Sequence, residues 1–498
     1  MKPIKSSFLL PALLAVASGH AAAAEATTFQ EAVQQAVLQS PEVTARWHAY
    51  KAADEEIGVA RGGFLPTVDL TAGVGKDRYK IDYPPPVGTE KNTYTRNGYR
   101  LTLNQMLFDG FATSNEVSRL GKAKLVRFYE LLEASENTAL EAARAYLDVV
   151  RYRELVGLAE DNYVQHKATS EQMAQRVKSG VGKRVDMEQA GSRLALAEIN
   201  LTTEIANLHD VSARYQRLVG AMPPSAAVKP DDFSAMLPAS SNAALNDLYR
   251  SNPTLLAAIE NVEAAQYDIA VRRAAYSPRF DLRAYTDDTK HYLGSYNRYG
   301  QNVVEVVMNW NLFRGGSDRA RERQYTEHRN TALDLREKAC RDTRQTLLIA
   351  FNDVERLRIQ KEYLATQVAL LERTLLAYRD QFNIGQRSLL DVLDTENELL
   401  SARRNMVNAE NDLTLGMLRT YAGTGHLLQA LGLRRLDTEE PKVGDLAAVD
   451  PAALCPADVV TLSPTDRAVL DARAAERLKN KGVVPVSAPV QASEQPQR

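Results

Sequence analysis

The chain repeats itself. Aligning Ser40-Pro41 with Asn252-Pro253, a shift of 212 residues, sets Ile57 on Ile269, Pro66 on Pro278 and Asp69 on Asp281. Further on, Leu107-Phe108-Asp109-Gly110 matches Leu312-Phe313-Arg314-Gly315 at a shift of 205, which then holds without gaps for about a hundred residues. Ala145-Tyr146 meets Ala350-Phe351, Gly180 meets Gly385, Asp186 meets Asp391 and Asn200 meets Asn405. A chain of 498 residues would by length alone hold roughly three domains. The duplication points instead to two similar halves, 25–220 and 243–435, joined by a linker at 221–242 and packed about a pseudo-symmetry axis.

Each half alternates two textures. Proline is absent between Pro86 and Pro223 and again between Pro278 and Pro441. In the second of these stretches Val354, Leu357, Leu364, Val368, Leu371, Leu375, Tyr378 and Phe382 recur mostly at steps of three and four. Val149, Tyr152, Val156, Ala159, Tyr163, His166, Ser170, Met173 and Val177 form the first-half counterpart. A repeat of this kind sustained over several heptads is a coiled-coil seam. An unbroken helix from Gly110 to Gly180 would run ~105 Å at about 1.5 Å per residue. Gly180 and Gly385 end such helices, and Ser388 with Asp391 three residues on suits a capping box for a returning helix. Long antiparallel helical hairpins follow.

The other texture alternates with period two. Val68, Leu70, Ala72 and Val74 lie on one face of Pro66–Val74, with Thr67, Asp69 and Thr71 on the other. Tyr99, Leu101 and Leu103, then Phe280, Leu282 and Ala284, then Val304, Val306, Met308, Trp310 and Leu312 continue the pattern. Four strands are expected, at 66–77, 97–108, 278–288 and 299–312. Tyr79, Tyr83, Tyr94, Tyr292, Tyr296 and Tyr299 sit in their connections. Two readings fit: a small soluble sheet with its apolar face on a core, or part of a transmembrane barrel wall with an aromatic girdle. Under the second, four strands cannot close. Two chains would supply about eight strands, a barrel filled by its own side chains, and three would supply about twelve, wide enough for a channel.

Composition narrows the class. Sixty-one basic residues against 63 acidic ones leave a net charge of −2, without the basic excess of a nucleic-acid protein, so no nucleic-acid partner is expected. Lys2 and Lys5, the apolar run Phe8–Val16 and Ala22-Ala23-Ala24 form a secretory signal peptide over 1–24, with Glu25 the first mature residue. Cys340 and Cys455 are far apart in unlike contexts, suggesting neither a disulfide framework nor a zinc site. No phosphate-binding loop, H-E-x-x-H or G-x-S-x-G motif occurs, so no enzyme, catalytic residue, cofactor or metal is expected. Residues 436–498 are rich in Pro and Ala and read as a largely disordered tail, with a short helix at about Asp466 to Lys481.

The duplicated helix–strand–strand–helix chain resembles the TolC family of bacterial outer-membrane channel proteins, over about residues 25–435. The segment from Phe382-Asn383-Ile384-Gly385-Gln386-Arg387-Ser388 to Glu398 resembles that family's periplasmic tip, where inner helices constrict a tunnel. Asn309-Trp310-Asn311-Leu312-Phe313 before Gly315-Gly316 resembles its strand exit. The resemblance implies a mainly α fold with β, TolC-like: a coiled-coil α-barrel of long hairpins, and four strands per chain completing a twelve-stranded transmembrane β-barrel in a homotrimer set in outer-membrane lipid. It implies a type I secretion exit duct opened by a periplasmic adaptor and an inner-membrane ABC transporter and passing a large exported protein. A proton-driven multidrug (RND) pump is the rival partner, and a periplasmic coiled-coil adaptor outside any membrane the rival class. By position, Asp391 and Asp394 look like the family's paired aspartates at the tunnel mouth, and Arg387 like the arginine whose ionic link holds the tip closed. Phe382 stands where a gate tyrosine often stands and cannot donate a hydroxyl hydrogen bond. Glu171 is an acidic partner expected for Arg387. Asp391 and Asp394 lie one turn apart, so threefold symmetry would ring a narrow opening with carboxylates able to bind divalent cations. The competing assignment is a cap on Ser388 for Asp391 and a solvated surface site for Asp394.

Overall fold

The computed structural model describes residues 28–230, 232–292, 296–436, 450–455 and 465–480. The expected signal peptide lies outside them. The chain divides into one unit up to Pro456 and a second from Ala457.

In the first unit, helices α1 (Phe29–Gln39) and α2 (Pro41–Arg61) precede strands β1 (Thr67–Asp82) and β2 (Thr89–Phe108). The long helix α3 (Ala112–Lys178) then turns into α4 (Arg184–Val219). The second half repeats the order with α5 (Ser241–Ser251), α6 (Pro253–Arg273), β3 (Arg279–Lys290), β4 (Arg298–Asn309), α7 (Ser317–Asn383) and α8 (Leu389–Thr424). Short helices α9 (Leu427–Ala430) and α10 (Pro451–Leu454) close the unit. The two internal shifts hold element by element: α1 and α2 map on α5 and α6 at 212, α3 and α4 on α7 and α8 at 205. In the second unit, α11 spans Arg467–Asn480.

Local chemistry is also repeated. Thr28 and Glu31 form a reciprocal capping box on α1. Ser40 accepts from Val43 N–H ahead of Pro41, and Asn252 accepts from Leu255 N–H ahead of Pro253. The 67-residue helices α3 and α7 each run ~100 Å. Both end in a glycine with positive φ, Gly180 at 82° and Gly385 at 79°, where the chain reverses tightly into the returning helix. Leu357, Leu364 and Ala409 bury one part of the α7–α8 seam, and Leu375, Val392 and Leu399 another. The main core lies where α1, α3, α4, α8 and α9 converge, with Phe29, Tyr146, Tyr215, Leu418 and Leu427 fully inside. Phe29 meets Tyr146 edge-on at 5.3 Å. Glu136, also buried there, accepts from Leu427 N–H at 3.0 Å and Leu428 N–H at 3.3 Å.

The sheet is antiparallel in the order β1-β2-β3-β4, with β1 and β4 at its edges. Register puts Val68 opposite Leu103, Leu70 opposite Leu101, Leu103 opposite Ala284 and Ala284 opposite Val304. That apolar face is uncovered: Leu70 is 69% exposed and Val304 76%. A soluble sheet would have its apolar face against a core, so this observation removes that reading. The opposite face is polar, with Arg100 bound to Asp287, Arg283 to Glu305 and Arg96 to Asp77 at 3.0 Å. The first hairpin runs on to Asp82 and resumes at Thr89, beyond the expected ends. β4 stops at Asn309, and Trp310 leaves the strand to donate to Tyr276 C=O at 3.1 Å. No described helix is long and apolar enough to cross a membrane.

One expectation is corrected. Cys340 and Cys455 form a disulfide, with Cα atoms 5.7 Å apart across a sequence separation of 115. The short helix α10 packs beside α5, and this sets Cys455 against the buried Cys340 of α7. Of the segment read as a disordered tail, the described residues carry α10 and α11, and the rest lies outside them.

Candidate functional site: the hairpin tips

The two hairpins meet at their tips. Met173 of α3, Ala190 of α4 and Leu389 and Leu393 of α8 form a small buried cluster, with Phe382 and Met187 packed against it. Phe382 is therefore an anchor for the last turn of α7. Its ring carries the Arg176 guanidinium of α3 at 5.3 Å, a cation–π contact in the place of a hydroxyl hydrogen bond.

Arg387 projects from the turn between α7 and α8. Its guanidinium lies over the Tyr378 ring at 4.0 Å, Nε donates to Gln381 Oε1 at 3.2 Å, and Nη1 is 3.8 Å from Asp391 Oδ2. Asp391 also caps α8 with Ser388: the Ser388 hydroxyl donates to Asp391 Oδ2 at 2.7 Å and accepts from Asp391 N–H at 3.3 Å. The capping assignment for Asp391 thus describes this protomer, and the same carboxylate faces Arg387. Asp394 is not merely solvated. It accepts from Arg193 Nη2 of α4 at 2.6 Å, a link between the two hairpins. Glu171 is exposed and lies 3.4 Å from Lys167 one turn away; within one chain it does not meet Arg387.

A polar cluster with no counterpart among the expected site residues sits two turns above. His166 of α3 is fully buried with Nδ1 3.7 Å from Glu396 Oε2 of α8. Glu396 Oε1 accepts from Arg379 Nη2 at 2.8 Å. Both His166 nitrogens and Glu396 Oε2 lack a hydrogen-bond partner. Burial lowers the His166 pKa more than the Glu396 charge restores it, so the ring is neutral at neutral pH. Further along, Arg404 binds Glu204 and Arg151 binds Asp412 at 2.5 Å, each joining the two halves. His166 stands in the seam pattern and Glu396 within the tip segment. Arg193 carries no sequence signal, because its partner is 201 residues away.

The ion pairs can hold the two hairpins of a chain side by side and be broken by displacement of one of them. Among the described residues no cluster of metal-ligating side chains occurs.

An uncovered apolar sheet face beside ~100 Å helical hairpins defines an outer-membrane channel protein, with its strands in the membrane and its helices in the periplasm. The chain belongs to the outer membrane efflux protein family, the TolC family, whose model matches residues 32–221 and 244–425, both halves of the duplication. It is similar to outer membrane efflux protein BepC of Brucella suis biovar 1, with 26% identity over 421 residues covering 84% of this chain and 90% of the relative. Similarity to outer membrane protein TolC of Escherichia coli K12 extends over 93% of this chain and 94% of the relative at 24% identity. Alkaline protease secretion protein AprF of Pseudomonas aeruginosa is 26% identical over 86% of this chain and 91% of its own length. The solved outer-membrane channel OprN superposes with a TM-score of 0.69 at 22% identity, covering 80% of this chain and 89% of that one, and so shares the fold. The family is one of transport channels, not enzymes.

Proposed function

We propose that three copies of this chain form the exit duct of a type I secretion system. The observation that carries the reading is the open four-stranded sheet with bare edges on β1 and β4 and an uncovered apolar face. Backbone groups at a bare edge cannot stay unpaired in lipid, so β4 of one copy must pair with β1 of the next. Three copies give about twelve strands, enough to enclose a channel. The hairpins of the three copies then line a tunnel across the periplasm.

The tip is the gate. Asp391 and Asp394 of each copy ring the opening, and Arg387 and Arg193 neutralise them in the closed state. In this reading Glu171, exposed on α3, is an acidic partner for Arg387 across the boundary between copies in the closed state. Phe382 anchors α7 while α8 moves. A periplasmic adaptor and an inner-membrane ABC transporter open the gate for a large exported protein. Similarity to a protease-secretion protein supports this choice of cargo. Similarity to a protein named for efflux supports the rival, a proton-driven multidrug pump as the inner-membrane partner. Crosslinking in cells followed by co-purification separates them: recovery of an ABC ATPase with an adaptor supports secretion, and recovery of a proton-driven pump alone overturns it.

A further inference from the structure

The outward face of the sheet changes character abruptly along the strands. On β1 the outward positions read Val68, Leu70, Ala72 and Val74, then Lys76, Arg78 and Lys80. Following the pairing register, Lys91 of β2, Lys290 of β3 and Arg298 of β4 lie on the same face, at the same hairpin end. All six cations are exposed. Lys80 pairs with Asp82 at 2.9 Å and Arg298 with Asp288 at 2.5 Å. Lys76, Arg78, Lys91 and Lys290 have no acidic partner among the described residues.

Four of these cations oppose one another in two pairs. Lys80 lies directly opposite Lys91, and Lys290 directly opposite Arg298. Like charges opposed across a strand pair destabilise a sheet. Asp82 answers Lys80 and Asp288 answers Arg298, which leaves Lys91 and Lys290, one cation of each pair, without an anion among the described residues. On the other face the arginines are matched within the sheet, as Arg96 is with Asp77 at 3.0 Å. The excess of positive charge is thus confined to the face that carries the apolar belt.

We propose that this collar binds the phosphate groups of a phosphorylated glycolipid in the membrane leaflet at the hairpin end of the barrel. The inference rests on the barrel reading above. Its depth selects the partner. Lys76 is one outward position past Val74, ~5 Å further along the membrane normal for a strand tilted by about 45°, the level of lipid phosphates. Lys80 and Lys91 stand ~14 Å past Val74 on the same reckoning, above an ordinary phospholipid headgroup of ~6 Å. A sugar headgroup bearing more than one phosphate reaches both levels.

The test uses detergent-purified full-length protein and native mass spectrometry after incubation with diphosphoryl lipid A, monophosphoryl lipid A or phosphatidylcholine. The wild type should retain diphosphoryl lipid A most, then monophosphoryl lipid A, then phosphatidylcholine. Lys76→Gln/Arg78→Gln/Lys80→Gln/Lys91→Gln should lose about tenfold or more of the diphosphoryl lipid A and none of the phosphatidylcholine. Arg96→Gln, which removes a charge from the opposite face, should bind as the wild type does. Equal retention of all three lipids by the wild type, or wild-type retention by the fourfold variant, overturns the proposal. Channel conductance in planar bilayers checks folding separately, and its absence in the wild type would strike the barrel reading instead. If the fourfold variant does not insert, Lys80→Gln/Lys91→Gln makes the same comparison with a smaller expected loss.

Discussion

Arg193 of α4 and Asp394 of α8 meet at 2.6 Å across the two hairpins of one chain. This pair ties the first hairpin to the second at their tips, while Arg387 beside Asp391 braces the α7–α8 turn alone. Opening by displacement of one hairpin breaks the first pair, whereas opening within the α7–α8 turn disturbs only the second.

Removing either arginine should favour the open state. Arg193 and Asp394 are partly exposed, so each pair contributes at most about 1 kcal/mol. Three copies acting together would shift a concerted gate by up to about 3 kcal/mol. Arg193→Ala and Arg387→Ser should each raise single-channel conductance or open time in planar bilayers. Wild-type records from both variants would remove these residues from the gate.

Asp391→Ala with Asp394→Ala should abolish block by divalent cations added to the periplasmic side. A ring of carboxylates concentrates such ions, and alanine leaves no charge to do so. Block that persists unchanged in the double variant would place the cation site elsewhere.

Much of this fold is legible in the sequence because its periodicities are long and pure. The 205-residue shift carries α3 and α4 onto α7 and α8 end for end, and the proline-free stretches delimit them. The first β-hairpin is under-read because from Lys76 on the outward positions turn from apolar to Lys76, Arg78 and Lys80, so the apolar-outward alternation ends while the strands continue. Ion pairs and the disulfide are illegible for another reason. Arg193 with Asp394, His166 with Glu396 and Cys340 with Cys455 are joined by helix packing across 115 residues or more, which no local pattern records. Arg387 and Asp391 are neighbours in sequence, and so their pairing could be anticipated from the tip segment alone.

Glu136 makes stability depend on pH. Burial raises its carboxyl to about 7, outweighing the opposing N–H groups of Leu428 and Leu427 and the charge of Arg435. Between about pH 4.5 and about pH 7 the folded protein keeps a proton that the unfolded chain has released. The contribution is whole below this window and lost as pH rises through it, on the order of 3 kcal/mol. The thermal midpoint should fall between about pH 5 and about pH 8, and Glu136→Gln should flatten that fall. An equal fall in both proteins would show that other groups govern it.

The Cys340–Cys455 bridge closes a long loop and should stabilise the packing of α10 and α5 beside α7. For a sequence separation of 115 the loop-entropy contribution is at most about 5 kcal/mol. Reduction, or Cys340→Ser with Cys455→Ser, should lower the thermal midpoint and leave conductance unchanged, since Cys340 lies ~60 Å up α7 from the tip. A midpoint indifferent to reductant would mean that α10 is held by packing alone.

If one chain supplies a third of a barrel, native mass spectrometry of the protein released from detergent micelles measures this directly. Particles of three chains, obtained only in the presence of detergent, are the predicted result. A water-soluble single chain, or a stable pair, would contradict it.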